Sequence, residues 1–255
     1  MTKEKESLFT LRDQIDKVDD SILELLNRRA LIIDQVRDLK EKQVSKIKMR
    51  PGREAGMLYR LMSKQKGRFP KRELAHIWRQ IIVATIGFEG PFSMAVYYNE
   101  DETGFWDLAR DQYGSSTPVT FHSSTRRVLE AVQTETAIVG VVPIPQHDDS
   151  DNWWHLIVSD RVDAPKIIAR LPFIGYGNAR SKGLEALVLC KIEHEAIDNA
   201  HSVIAVESNK DIGFNTINSC LVQADLKYEF QQAWHNTQRP PEWTYFIELS
   251  EFLIK

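Results

Sequence analysis

Between residues 8 and about 46 the chain has no glycine or proline, and its apolar residues recur with one rhythm. Leu11, Ile15, Val18, Ile22, Leu25, Ile32, Val36 and Leu39 follow one another at heptad steps of four and three, with one polar interruption. That spacing predicts a single long amphipathic helix with a heptad seam. At about 1.5 Å per residue it would run roughly 58 Å, longer than a small domain is wide, so the seam needs a partner along its length. The interruption is Arg29, where the pattern calls for an apolar side chain. A guanidinium there must be desolvated, which costs several kcal/mol, roughly, unless an anion meets it. No acidic residue falls on the seam, so the missing anion is expected to be a ligand.

Met49-Arg50-Pro51-Gly52 ends this helix, and Pro51 suits the entry to the next. A second helix is expected from about Arg53 to Lys66, with Leu58, Leu61 and Met62 on one face. A third begins at Pro70, carries Leu74, Ile77, Trp78, Ile81, Ile82 and Thr85 at helical spacing, and ends near Gly87–Gly90. Three helices so unequal in length do not close a bundle alone; two copies would, as an entwined homodimer. After Gly90-Pro91 the period changes, and short apolar runs alternate with helical ones. Strands are expected at Met94–Tyr98, Pro118–Phe121, Ala137–Val142, Lys166–Leu171 and Leu184–Lys191, with helices over Thr103–Tyr113 and Ser124–Gln133. A further unit reads strand Val203–Val206, helix Ile212–Leu226, strand Lys227–Trp234 and strand Thr244–Leu249. The fold class is therefore α plus α/β. An all-helical domain over residues 1–90 precedes an α/β domain over 91–200 and a small α+β end over 201–255.

Charge sharpens this division. Residues 1–90 hold 20 Lys and Arg against 13 Asp and Glu, the remainder 13 against 23. A basic segment ahead of an acidic one predicts an anionic partner for the first, whether nucleic acid or a small polyanion. No apolar run reaches membrane-spanning length, and the opening MTKEKESLFT lacks the apolar core of a signal peptide. Cys190 and Cys220 have no metal-ligand spacing, and a reducing, cytoplasmic setting is expected with neither metal nor cofactor.

Other polar residues gather around Arg29 in the helical periodicity. Arg12 and Lys40 share a stripe beside the seam with Leu26 and Ile33. Arg53 and Glu54 open the second helix, where Glu54 shares a face with Leu58 and Leu61; Thr85 and Glu89 lie four apart on the third. Singly, Arg12 or Lys40 reads as a snorkelling surface cation and Glu54 as a first-turn acid favoured by the helix dipole. Jointly they describe a pocket for a compact dianion.

Leu11-Arg12-Asp13-Gln14-Ile15-Asp16 with Asp19, Leu25-Leu26-Asn27-Arg28-Arg29-Ala30, Lys40, and Arg50-Pro51-Gly52-Arg53-Glu54-Ala55 resemble the all-helical class of chorismate mutases over about residues 8–90. The resemblance implies an intertwined dimer with shared active sites that converts chorismate to prephenate. It implies that Arg12 reaches across the dimer to a substrate carboxylate and that Arg29 clamps one from its own chain. Lys40 would hold a carboxylate and the ether oxygen, Glu54 the ring hydroxyl, and Glu89 the ether oxygen. Arg53 would support the pocket, and Thr85 would touch substrate near Glu89.

Met94-Ala95-Val96-Tyr97, Gly104-Phe105, Ser123-Ser124, Val128–Val132 and Val139–Ile144 resemble the opening of a prephenate dehydratase domain. Pro145-Gln146 stands where that family has Glu-Asn, and its Thr-Arg-Phe motif is replaced near Glu185-Ala186-Leu187. The stretch from about Phe173 to Gly183 is too short for its second lobe. Residues 202–253 resemble an ACT-type ligand-binding domain through Ile212-Gly213-Phe214 and Thr244–Leu249, without that family's Glu-Ser-Arg-Pro. The reading is a mutase with a non-catalytic second half. Two roles stay open for its end: sensing an aromatic amino acid such as phenylalanine or tyrosine, or stabilising the dimer. The rivals are a bifunctional mutase–dehydratase and a non-enzymatic basic coiled coil that binds nucleic acid. The latter conflicts with cations on a buried stripe, since phosphate-binding residues point outward. An acidic docking surface for another enzyme is a third option for the second half. Tryptophans 153, 154 and 234 are expected in a core or interface. The His147–Asp151 stretch and Glu193-His194-Glu195 read as solvated loops, and Gly175-Tyr176-Gly177-Asn178 is too short a signal for a phosphate loop.

Overall fold

The computed structural model describes residues 7–40, 49–88, 90–146, 152–159, 161, 164–173, 175, 183–192, 201–238 and 240–250. By contacts the chain divides into two compact units, residues 1–48 with 84–91, and residues 49–83 with 92–255. Among the described residues no helix is long and apolar enough to cross a membrane.

The first unit is built on helix α1, Leu8–Lys40, 33 residues without interruption. Ser7 starts it: its hydroxyl accepts the Thr10 N–H at 3.2 Å, satisfying a donor that the first turn leaves open. Its seam faces solvent. Leu11, Ile15, Val18, Ile22, Leu25, Ile32 and Leu39 are between 40% and 78% exposed. Such a continuous apolar stripe on a lone helix is an unmet requirement for burial.

The second unit begins with α2 (Pro51–Lys64), which has proline in its first turn as the sequence indicated, and includes most of α3 (Lys71–Ile86). Helix α3 shows which of its regularly spaced positions lie deepest. Its buried stripe is Ala75, Arg79 and Ile82, whereas Ile77 is 45% exposed. Leu74, Trp78, Ile81 and Thr85 are half-buried beside it.

The α/β layer holds β1 (Met94–Tyr97), α4 (Gly104–Tyr113), β2 (Val119–His122), α5 (Thr125–Gln133), β3 (Val139–Pro143), β4 (Lys166–Leu171) and β5 (Ala186–Cys190). They form one five-stranded sheet in the order β2-β1-β3-β5-β4, with β1 parallel to β2 and β3, and β5 antiparallel to β3 and β4. The central strands β3 and β5 are almost wholly buried, which explains their unbroken apolar runs. Ser124 caps α5 by accepting the Arg127 N–H. Gly140 lets α5 lie close on β3: a Cβ there would come within 2.8 Å of a Val128 methyl and 2.9 Å of a Val132 methyl.

A smaller antiparallel sheet, β6 (Ser202–Ser208), β8 (Trp243–Leu249) and β7 (Tyr228–His235) in that order, packs against α6 (Gly213–Gln223). This is three strands and one helix of a split β-α-β arrangement. Residues 92–255 lie in one compact unit with 49–83. The join is a polar knot inside an apolar core. A short 3-10 turn over Trp153–Ile157 inserts Trp153 and Trp154, and the Trp154 indole donates to the Gln232 side-chain oxygen at 2.8 Å. The Gln232 amide in turn donates to the Gln146 carbonyl and the Asn152 side chain. The Trp154 indole and both ends of the Gln232 amide are bonded, and such a buried network favours one arrangement of the two sheets.

Candidate functional site

Arg29 is half-buried on α1. Its Nη1 donates to the Thr85 hydroxyl at 3.2 Å. Among the described residues no carboxylate pairs with it, and desolvation lowers its pKa from the ordinary arginine value. A guanidinium has five donors in a fixed fork, so one hydrogen bond to a neutral hydroxyl leaves most of its capacity for an anion. Two of the residues singled out from sequence, Arg29 and Thr85, are thus brought together 56 positions apart. Nearby along α1, Arg37 is committed otherwise: it pairs with Asp34 at 2.9 Å and Asp38 at 3.1 Å.

Arg12 lies exposed on α1 and Arg53 exposed on the first turn of α2. Lys40 is the last residue of α1; its side chain and all of Glu89 lie outside the described residues. The same holds for His147–Asp151, Glu193–Glu195 and Tyr176–Asn178.

Glu54 is buried, and its partner is a residue that the sequence reading passed over. Arg79 Nη1 donates to Glu54 Oε2 at 2.5 Å, and the Arg50 backbone N–H donates to Oε1 at 3.2 Å. The Glu54 and Arg79 side chains are 11% and 6% exposed. Arg79 Nε also donates to the Gln112 carbonyl at 2.5 Å, and its guanidinium carbon stands 5.3 Å from the centre of the Tyr113 ring. Burial pushes the Tyr113 hydroxyl above its usual range. A signal for Arg79 was present: Ala75, Arg79 and Ile82 step by four and three, the same violation that exposed Arg29.

Beside Arg79 lies a small void of about 30 Å³, bordered by Leu58, His76, Leu108 and Leu171 among others. That is room for about two waters, far below a substrate pocket. Asp111 on its rim has its pKa raised, first by burial.

The Gln146 carbonyl belongs to the tryptophan knot, and Glu185 pairs with Arg170 at 2.7 Å, which also reaches Glu248 at 2.9 Å. Among the described residues, His201, Glu229 and Glu248 could bring three donor atoms within 4.8 Å of one another. Glu248 is already held by Arg170 and the other two are exposed, so the group reads as a surface charge network.

Residues 11–90 match the family model of chorismate mutase type II. The bifunctional chorismate mutase/prephenate dehydratase of Aquifex aeolicus is 34% identical over 143 residues, spanning 54% of this chain and 39% of the relative. The protein of the same description from Pseudomonas aeruginosa is 28% identical over 145 residues, 55% of this chain and 40% of the relative. The chain thus spans about two fifths of the length of the curated relatives it matches. A solved prephenate dehydratase from Arthrobacter aurescens, in complex with L-Phe, overlays with a TM-score of 0.47 at 9% identity, covering 62% of this chain and 80% of that one, a likeness that assigns nothing.

Proposed function

We propose that this chain is a chorismate mutase acting as an entwined homodimer, with a second half that does not catalyse dehydration. The observation that carries the reading is Arg29, a half-buried guanidinium on an apolar seam whose hydrogen bond goes to a neutral hydroxyl. The type II match over residues 11–90 supports it, and so does the exposed seam of α1, which two copies would bury against each other.

The chemistry suits residues that clamp and polarise. The rearrangement breaks the ether C–O bond as a C–C bond forms, with no net proton transfer, nucleophile or redox partner. Catalysis needs the enolpyruvyl group folded over the ring and the charge developing on the ether oxygen stabilised. Arg12 and Arg29 serve as carboxylate clamps, Arg53 and Thr85 as further substrate contacts, and Glu54 as acceptor for the ring hydroxyl. Lys40 and Glu89 are assigned to the ether oxygen. For Glu89 to donate there it must be protonated, so activity is expected to decline as pH rises. Glu89→Gln should flatten that profile; an unaltered decline in the variant removes Glu89 from the mechanism.

Against dehydration stands the architecture. The described residues hold one α/β sheet and a three-stranded end, and Glu185, at the position of the missing motif, is spent on Arg170. The bifunctional description carried by the relatives favours a second reading, in which prephenate is processed further. The small sheet with α6 is proposed either as a sensor of an aromatic amino acid or as a structural unit. One experiment separates these: purified chain with chorismate, products followed over time with and without phenylalanine or tyrosine. Accumulating prephenate supports a mutase with a silent second half, and a rate change on adding either amino acid makes that half a sensor. Phenylpyruvate establishes the bifunctional reading. Unconsumed chorismate overturns the mutase.

A further inference from the structure

We propose that Arg79 is a positioning residue for the mutase reaction, and that through it helix α4 sets the orientation of the Glu54 carboxylate. The proposal rests on the mutase reading, which gives Glu54 the substrate's ring hydroxyl.

Glu54 sits in the first turn of α2, where its side chain alone could adopt several rotamers. Two bonds remove that freedom, one from Arg79 to Oε2 and one from the Arg50 N–H to Oε1. A carboxylate offers about four lone-pair sites, so both oxygens keep capacity for a substrate hydroxyl. Arg79 is held in turn at two further points. Its Nε donates to the Gln112 carbonyl, one of the last-turn carbonyls of α4 that has no partner within the helix. A cation at that end also meets the negative pole of the helix. The Tyr113 ring lies against the guanidinium on the same turn. The arrangement needs a planar fork with donors pointing two ways, which lysine cannot reproduce.

The consequence is directional. Arg79 acts on substrate only through Glu54, and α4 acts only through Arg79. Placing a binding group within a fraction of an ångström depends on such support. A purely structural ion pair would affect folding and leave substrate binding in the folded protein unchanged.

The test is steady-state kinetics on chorismate for the full chain and the variants Glu54→Gln, Arg79→Met, Arg79→Lys and the double Glu54→Gln/Arg79→Met, alongside thermal melting. Arg79→Met and Glu54→Gln should each raise KM on the order of tenfold with a smaller change in kcat, as expected for a lost binding hydrogen bond. The double variant should be no worse than Glu54→Gln alone, and Arg79→Lys should recover part of the loss. Multiplying losses in the double variant, or a wild-type KM in folded Arg79→Met, overturns the proposal and leaves the mutase intact. If Arg79→Met does not fold, Tyr113→Leu removes the supporting ring instead; a raised KM there supports the proposal and an unchanged one overturns it. Wild-type protein that leaves chorismate untouched overturns the mutase reading, and this proposal with it.

Discussion

Arg29 and Arg79 are the same kind of residue in different company. Each occupies an apolar stripe, but Arg79 has Glu54 while Arg29 has a hydroxyl. On the proposed mutase reading, that difference separates a group kept for support from one kept for an incoming anion. Arg29→Met is therefore expected to cost about 10²–10³ in kcat, the usual toll of removing a preorganised donor, without lowering the thermal midpoint. A variant with normal turnover would remove Arg29 from catalysis. The cysteines divide in a similar way. Burial pushes the Cys190 thiol up to about 12, and Cys220 is exposed. Folded Cys190 stays protonated where an unfolded thiol, near 8.5, has ionised, so above that pH the thiol favours unfolding increasingly until about 12. At mildly alkaline pH a thiol reagent should label Cys220 at once and Cys190 only at the rate of unfolding; equal rates would contradict the buried placement.

At the scale of elements, local chemistry was legible and contact was not. The starts of α2 and α5 follow from Pro51 and Ser124, whose effects reach only a few residues. On α3 the helical spacing left two stripes in competition for the deepest position. Trp78 and Ile81 outweigh Ala75 in hydrophobicity, but Ala75 is the more deeply buried, at 2% exposure. Gly140 shows the same dependence on neighbours. Nothing in Val139–Pro143 announces that α5 lies against it, yet an added methyl would strike two valines whose rotamers a helix restricts. Gly140→Ala should destabilise by about 1–3 kcal/mol in denaturant unfolding. A neutral result would mean that α5 can move off the strand.

For the whole molecule the open question is association. The exposed seam on α1 is too long and too apolar for a lone surface helix, and a second copy of it is the complement that the heptad spacing favours. Ile22→Glu puts a carboxylate on that seam, where facing copies would bury like charges. Sedimentation equilibrium should show a dimer for the parent and a monomer for the variant, with mutase activity lost together with the dimer. A parent that sediments as a monomer would end the two-copy reading.

By itself the sequence determined which residues are helical, which are extended, and where an unmatched charge interrupts an apolar stripe, because periodicity, caps and breakers are properties of neighbours along the chain. It marked Arg29 and Thr85 each by its place in a helical stripe, and left their hydrogen bond across 56 residues to the tertiary structure. Only the tertiary structure decided which charge Glu54 meets and that Gln232 and Trp154 lock two sheets together, each a pairing across 25 residues or more. It also decided that Glu185 pairs with Arg170 and that the Gln146 carbonyl joins the tryptophan knot. Those are choices among many polar residues of similar type, and only packing, which leaves a buried donor one acceptor within reach, selects the partner.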